Sequence, residues 1–437
     1  FVAILKIRVL RNLEEVTDRC GDKEENMAEI RPFSCVRPAA ELADRVAALP
    51  YDVYNRQEAK AEVQREPMSF LKIDRAETSF DDSVDTYAPE VYEKARELLE
   101  KDIEDGVYIS DTDRVYYIYQ LEMDGRTQTG LVACSSVDDY MNQVIKKHEN
   151  TRADKEVDRI THVDTCSAQT GPIFLAYRAD QEISRVVEKY VKTEPVYNFT
   201  AVDGISHRVW KIDGREDVDT IYQAFQRIDK IYIADGHHRA ASAVKVGLKR
   251  REETPGYTGE EEFNYFLSVL FPHDELMIMD YNRTVKDLNG LSPDEFMEKI
   301  KEKFEVADSE TPVAPEKKGT FGMFTKGKWY VLTAKPELFE GKDAVESLDV
   351  SVLQDNLLGP VLGIGDPRTD SRIDFVGGIR GLQELERRAS EDMCISFSMY
   401  PTSIIELFDV ADNGLLMPPK STWFEPKLRS GLFIHRI

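Results

Sequence analysis

The run Ile231-Tyr232-Ile233, followed by Ala234-Asp235-Gly236-His237-His238-Arg239 and then Ala240-Ala241-Ser242-Ala243-Val244, constrains this chain more than any other stretch. An apolar β-type run that turns through glycine into an Ala-rich helix former reads as a strand–turn–helix unit. Such a turn leaves the first N–H groups of the helix unpaired at the positive end of its dipole, where anions settle. Two imidazoles and a guanidinium on that turn add donors suited to phosphate oxygens. The chain has only seven histidines, and two stand side by side here. An ordinary helix start with Asp235 as N-cap explains Asp235 and Gly236. It leaves His237-His238-Arg239 unexplained, because cations oppose the positive end of the dipole unless an anion lies between them.

With 437 residues, two or three domains are expected. Hydrophobic residues at 41% and charged residues at 32% describe a globular chain. No apolar stretch approaches the roughly 20 residues of a membrane span, so no membrane partner is expected. The net charge of −24 argues against nucleic acid as a partner, since phosphate backbones demand a basic surface. Cys20, Cys35, Cys134, Cys166 and Cys394 are scattered, odd in number and never in C-x-x-C spacing, which suits reduced thiols in the cytoplasm. The first methionine, Met27, reads as a natural start, and residues 1–26 as a non-native or disordered extension without a secretory pattern.

Strands and helices alternate without a repeat. Ser69–Ile73 reads as a short strand, and residues 86–105 as an amphipathic helix through Val91, Tyr92, Ala95, Leu98 and Leu99. Two β-rich runs, 115–121 and 129–134, flank Asp124-Gly125, a hairpin signal. Further strands fall near 171–177, 195–200 and 206–212, and helices near 180–191 and 217–228. Residues 263–271 form the most apolar strand, placed centrally. Turn residues cluster at Asn289-Gly290-Leu291-Ser292-Pro293, dividing the chain into 27–290 and a C-terminal α+β region, 291–437.

Besides the opening turn, three segments combine charge with turn residues. Arg31 and Arg37 each precede proline and are held extended, followed by Pro50-Tyr51-Asp52-Val53; exposed arginines and a loop aspartate are the plainer account. Lys147-His148-Glu149-Asn150-Thr151-Arg152 runs into a helix where Arg152, Lys155 and Arg159 share a face, alternating with Asp154, Glu156 and Asp158 in the manner of a solvated, ion-paired helix. The Gly-x-Gly at 363–365 fits neither a dinucleotide fingerprint nor a P-loop. Met417-Pro418-Pro419-Lys420-Ser421-Thr422 reads as a turn that brings a cation to the site. Zinc is disfavoured: adjacent histidines diverge, no His-x-x-x-His occurs, and His148, Glu149, Asp235 or His273 would have to assemble from afar. No protein metal centre is expected, and Mg²⁺ held by one carboxylate and substrate phosphates is the candidate ion.

Six ordered motifs, Arg-Pro-Phe at 31–33, Pro-Tyr-Asp-Val at 50–53, Lys-His-Glu-Asn-Thr at 147–151, Gly-Pro-Ile-Phe-Leu at 171–175, Ala-Asp-Gly-His-His-Arg at 234–239 and Met-Pro-Pro-Lys-Ser-Thr at 417–422, resemble those of bacterial proteins catalogued as domain of unknown function 1015. The resemblance runs from about Glu29 to the end of the chain. The Gly-His-His-Arg turn is also similar to the phosphate-binding turn of the ParB/sulfiredoxin-like fold, whose members include a CTP-binding partition protein and kinases of free L-serine. That resemblance implies an α/β (α+β) chain with a ParB/sulfiredoxin-like core and large insertions. It also implies phosphate contacts from Gly236, His237, His238 and Arg239. Glu149, with Asn150 and Arg152, resembles the partition protein's Glu-Asn box, although here it precedes the turn.

The function expected is a phosphotransferase acting on a small hydroxyl metabolite, with free L-serine the leading acceptor and a nucleotide or pyrophosphate the donor. Candidate catalytic groups are Glu149, Asp235, His238 and Asp52; candidate acceptor-binding groups are Arg31, Arg37, His148, Arg152 and Lys420. A nucleotide-binding regulator without turnover, or a phosphatase of a small phosphorylated metabolite, uses the same turn. The oligomeric state is left open.

Overall fold

The structure, a computed structural model, describes residues 27–151 and 153–437, with only the backbone given for residues 153–155. The expected extension 1–26 and the side chain of Arg152 lie outside the described residues.

The chain is a mixed α/β protein, as its alternating patterns predict. Its larger sheet comprises β1 (Ile30–Arg31), β2 (Tyr116–Met123), β3 (Arg126–Ser136), β4 (Ile145–Lys146), β5 (Ile173–Tyr177), β6 (Tyr197–Thr200), β7 (Ser206–Ile212), β8 (Ile231–Asp235) and β9 (Tyr265–Pro272). The order is β4-β8-β5-β9-β3-β2-β7-β6, with β1 added to β3. The β2–β3 hairpin closes through Asp124 and Gly125, both at positive φ (51° and 77°), as the twist of a two-residue hairpin turn requires. The apolar run expected at the centre is β9, buried along its whole length, parallel to β5 and antiparallel to β3.

Side chains alternate across this sheet, and both faces are covered. One face carries Ile118, Leu131, Leu175, Ile233 and Phe266. It packs beneath helices α1 (Gln181–Tyr190), α2 (Arg215–Phe225) and α3 (His237–Glu253), which contribute Ile183, Phe225 and Val244. The other face carries Tyr119, Val132, Phe174, Tyr232 and Phe271 and shares one continuous core with a second, antiparallel sheet. That sheet consists of β10 (Tyr281–Val285), β11 (Phe304–Ser309), β12 (Thr320–Thr325), β13 (Lys328–Ala334), β14 (Ile373–Gly377) and β15 (Ile395–Met399), ordered β11-β13-β12-β15-β10-β14. At the junction Tyr232 stacks on Phe408, ring centroids 3.7 Å apart.

Two expectations need correcting. Residues 69–73 are not a strand: Leu71–Asp74 is a buried helical turn packed with Ala95 and Leu99. A run that short carries no period with which to separate the two states. The two halves also interleave rather than meeting at residue 290. β10 precedes the Asn289-Gly290 turn yet belongs to the second sheet. Residues 423–437 return to the first half: Phe424 pairs with Ile278, Ser430 with Ala48, Ile434 with Val36 and His435 with Gln169. Ile434 is buried within the first half, and Leu432 and Phe433 enter the core shared by the two sheets, where Phe433 meets Tyr117 and Tyr119. Among the described residues no helix is long and apolar enough to cross a membrane.

Candidate functional site

The expected strand–turn–helix forms at one end of the larger sheet. β8 ends at Asp235 and α3 begins at His237, with Gly236 between them at φ 93°, ψ 33°. A left-handed residue is needed there, and a Cβ would stand 3.0 Å from the Arg239 guanidinium. Gly236, not Asp235, is the N-cap, and no side chain caps the helix. Asp235 instead takes the Gly236 N–H on Oδ1 at 2.9 Å. The first-turn amides are therefore left without a side-chain acceptor, as an anion site requires.

The histidines diverge. His237 is buried and turns toward the end of β4, where its Nε2 accepts the His148 N–H at 3.5 Å. That bond leaves the proton on Nδ1, which faces Glu149 Oε2 at 3.9 Å. Burial holds His237 down at about 4; His238 and Lys147 push the same way and Asp235 opposes them. His148 packs edge-on against His237, centroids 4.5 Å apart, and burial with His237 keeps it far below its usual range. His148 thus enters the site through its backbone, and its carbonyl accepts the Met417 N–H at 2.8 Å. Its expected contact with acceptor does not fit a ring 1% exposed.

Two neighbouring carboxylates stand under opposite influences. Glu149 is pushed up by burial and then by Asp235, with Lys420 pulling the other way. Burial also pushes on Asp235, but Lys427, Arg239, His237 and the Gly236 amide overcome it and hold it at about 2. Lys427 Nζ lies 3.4 Å and Arg239 Nη2 3.7 Å from Asp235 Oδ2. Arg239 is steadied from behind by the Pro172 carbonyl, which gives the Gly-Pro-Ile-Phe-Leu motif its place. Three cations, Arg239, Lys420 and Lys427, thereby act on two carboxylates, and a fourth, Lys147, acts on His237. Net positive charge, uncapped amides and a proton acceptor can together bind a phosphorylated ligand and take a proton beside it.

Behind Arg239 lies a small cavity of about 30 Å³ lined by Tyr51, Asp74, Arg159, His162, Thr170 and Ser430, among others. Arg159 crosses the Tyr51 ring at 3.9 Å and gives its Nε–H to Asp158 at 2.9 Å.

Glu149, Asp235, Gly236, His237, Arg239 and Lys420 are thus drawn to one place, whereas Asp52 is an exposed neighbour of Tyr51, which lines the cavity behind Arg239. His238 looks the other way, toward Glu156, whose carboxylate is bound by Thr151 and Lys245. Arg31 and Arg37 do not join. Arg31 pairs with Glu29 and Glu260 over Tyr265, and Arg37 with Asp111 and Tyr197. Arg31 lies in β1 of the larger sheet, whereas Arg37 lies in a separate two-stranded sheet formed by Val36–Pro38 and Tyr108–Ser110. His273 accepts the Ala179 N–H beside Phe408. Among the described residues no cluster of three or more His, Cys, Asp or Glu could hold a metal.

Sequence reasoning passed over Lys427, Asp74 and the burial of Arg159. Arg159 and His162 stand three apart on the helix Ala153–Cys166 and face inward together, a pattern that charge alternation disguised as a solvated face. Lys427 and Asp74 carry no local signal, being placed by long-range packing.

The fold and turn define a mixed α/β protein with an uncapped helix start flanked by cations. The chain belongs to the family described as protein of unknown function DUF1015, whose model matches residues 30–351. Among solved structures, a free serine kinase in complex with AMP is 16% identical, with TM-score 0.33 over 69% of this chain and 91% of that one. A conserved hypothetical protein from Pyrococcus furiosus is 16% identical, with TM-score 0.32 over 70% and 94%. C-terminally truncated SbnI from Staphylococcus aureus is 12% identical, with TM-score 0.35 over 68% and 85%. No curated protein matches the chain.

Proposed function

We propose that the protein is a phosphotransferase that moves a phosphoryl group from a nucleotide or pyrophosphate to the hydroxyl of a small metabolite, with free L-serine the leading acceptor. The observation that carries this reading is the pairing of an uncapped, cation-flanked helix start at 236–239 with the raised carboxyl of Glu149. The Gly236–Arg239 turn, Lys427 and Lys420 hold the donor phosphates and neutralise charge as it spreads over the transferring group. Glu149 accepts the hydroxyl proton as the acceptor oxygen bonds to phosphorus, while the bond to the leaving phosphate breaks and the electron pair stays with it. His237, neutral with its Nδ1–H toward Glu149, orients that carboxylate. Asp235, fully ionised, fits the single-carboxylate mode in which Mg²⁺ is commonly held, where the ion would neutralise donor phosphates.

The test is direct. Purified protein, Mg²⁺, L-serine and a panel of nucleoside triphosphates, nucleoside diphosphates or pyrophosphate are followed by ³¹P NMR. Phosphoserine or another phosphate monoester is expected with at least one donor. Saturable nucleotide binding without transfer to serine or related alcohols would leave a nucleotide-binding regulator, and release of phosphate from phosphoserine alone would leave a hydrolase.

A further inference from the structure

The cavity behind Arg239 holds two opposite charges that do not meet. Asp74 is 5% and Arg159 7% exposed, and both line the same space. Among the described residues no ion pair joins them. Among the described residues the Asp74 carboxylate takes one hydrogen bond, from the Thr170 hydroxyl at 2.9 Å, leaving acceptor capacity on a buried anion. Arg159 gives Nε–H to Asp158, already occupied by the Tyr92 hydroxyl at 3.0 Å, and its five-donor fork retains N–H groups beyond that bond. His162 adds no charge: burial keeps it neutral, with Nε2 turned to the Ile73 carbonyl at 3.2 Å. Buried charges left so incompletely paired are costly unless a ligand or water completes them.

The cavity's size restricts that ligand. A cavity of about 30 Å³ suits the compact polar head of a small molecule better than a base or sugar. Arg239, which belongs to the phosphate turn, forms one wall.

We propose that this cavity is the acceptor pocket and that it selects an α-amino acid zwitterion, with Arg159 holding the carboxylate and Asp74 the ammonium group. The inference rests on the phosphotransferase reading for the use made of the pocket, while the recognition itself is a binding property. Held at both ends, the amino acid directs its side-chain hydroxyl past Arg239 toward the turn.

The test separates the two claims. Isothermal titration of the full chain with saturating ADP and Mg²⁺ compares L-serine with glycerate, which lacks the ammonium, and ethanolamine, which lacks the carboxylate. L-serine is expected to bind at least tenfold more tightly than either. Asp74→Asn should narrow the serine–glycerate gap, and Arg159→Met the serine–ethanolamine gap, both with ADP affinity unchanged. Equal binding of serine and glycerate by the native protein, or no binding of L-serine, L-threonine or L-homoserine, overturns the pocket whether or not the variants fold. Discrimination among these probes without any ADP affinity supports the pocket and overturns the donor site.

Discussion

Glu149 and Asp235 carry the same functional group beside the turn, and their surroundings drive them apart. Burial leads for both, but only Asp235 has Lys427 and Arg239 against it. That separation is what an acid–base pair needs, one carboxyl poised to accept a proton and one permanently charged. Glu149→Gln should therefore reduce phosphoryl transfer by about 10²–10⁴-fold, the usual contribution of a general base, with little change in ADP affinity. In the native protein the pH–rate profile should show an acid limb centred above the ordinary glutamate value of 4.5. His237 makes a different demand. Its pKa of about 4 lies below the usual 6.5, so the unfolded chain binds the extra proton first as pH falls. Its contribution is complete above about 6.5 and lost as pH drops through 4, with His148 acting in the same sense and Glu149 opposing. Urea midpoints should fall across that window, and His237→Gln should flatten the slope.

At the level of elements, the β8–α3 junction carries a local backbone demand at Gly236 and, in the proposed function, the donor phosphates. Gly236→Ala should cost about 1–2 kcal/mol in urea unfolding, because φ 93° forces a Cβ toward a carbonyl and Arg239 must also move. Arg239→Ala should have its main effect on ligand, weakening phosphate binding by about 1.5–3 kcal/mol in titration calorimetry, the range for hydrogen bonds to charged groups. Equal losses of stability in the two variants, with binding untouched, would make the turn purely structural. This junction was legible in sequence because glycine, β-run and Ala-rich helix are all adjacent. The helix carrying Arg159 was not: its inward polar residues follow the same spacing as an ion-paired surface, and only neighbours far along the chain distinguish them.

Across the whole molecule, the C-terminal segment ties the halves together and furnishes the site. It enters past His148 at Met417, brings Lys420 near Glu149 and Lys427 to Asp235, sets Ser430 beside Gly171, and ends buried through Phe433. Lys420, Lys427 and Ser430 all lie beyond the stretch matched by the family model. Phe433→Ala, within the core shared by the two sheets, should lower unfolding free energy by about 3–5 kcal/mol and weaken phosphate binding indirectly. Retained stability would mean that the segment docks without supporting the core.

The sequence by itself determined the strand–turn–helix at 231–253, the hairpin at Asp124-Gly125 and the central strand. Each of these rests on neighbours in the chain, where glycine conformation, side-chain period and helix ends act over a few residues. Only the tertiary structure decided that Lys427 lies beside Asp235 and that Arg159 and Asp74 line the cavity behind Arg239, while Arg31 and Arg37 pair elsewhere. Charge and burial depend on what packs across a long loop, and nothing in a residue's own neighbourhood records that.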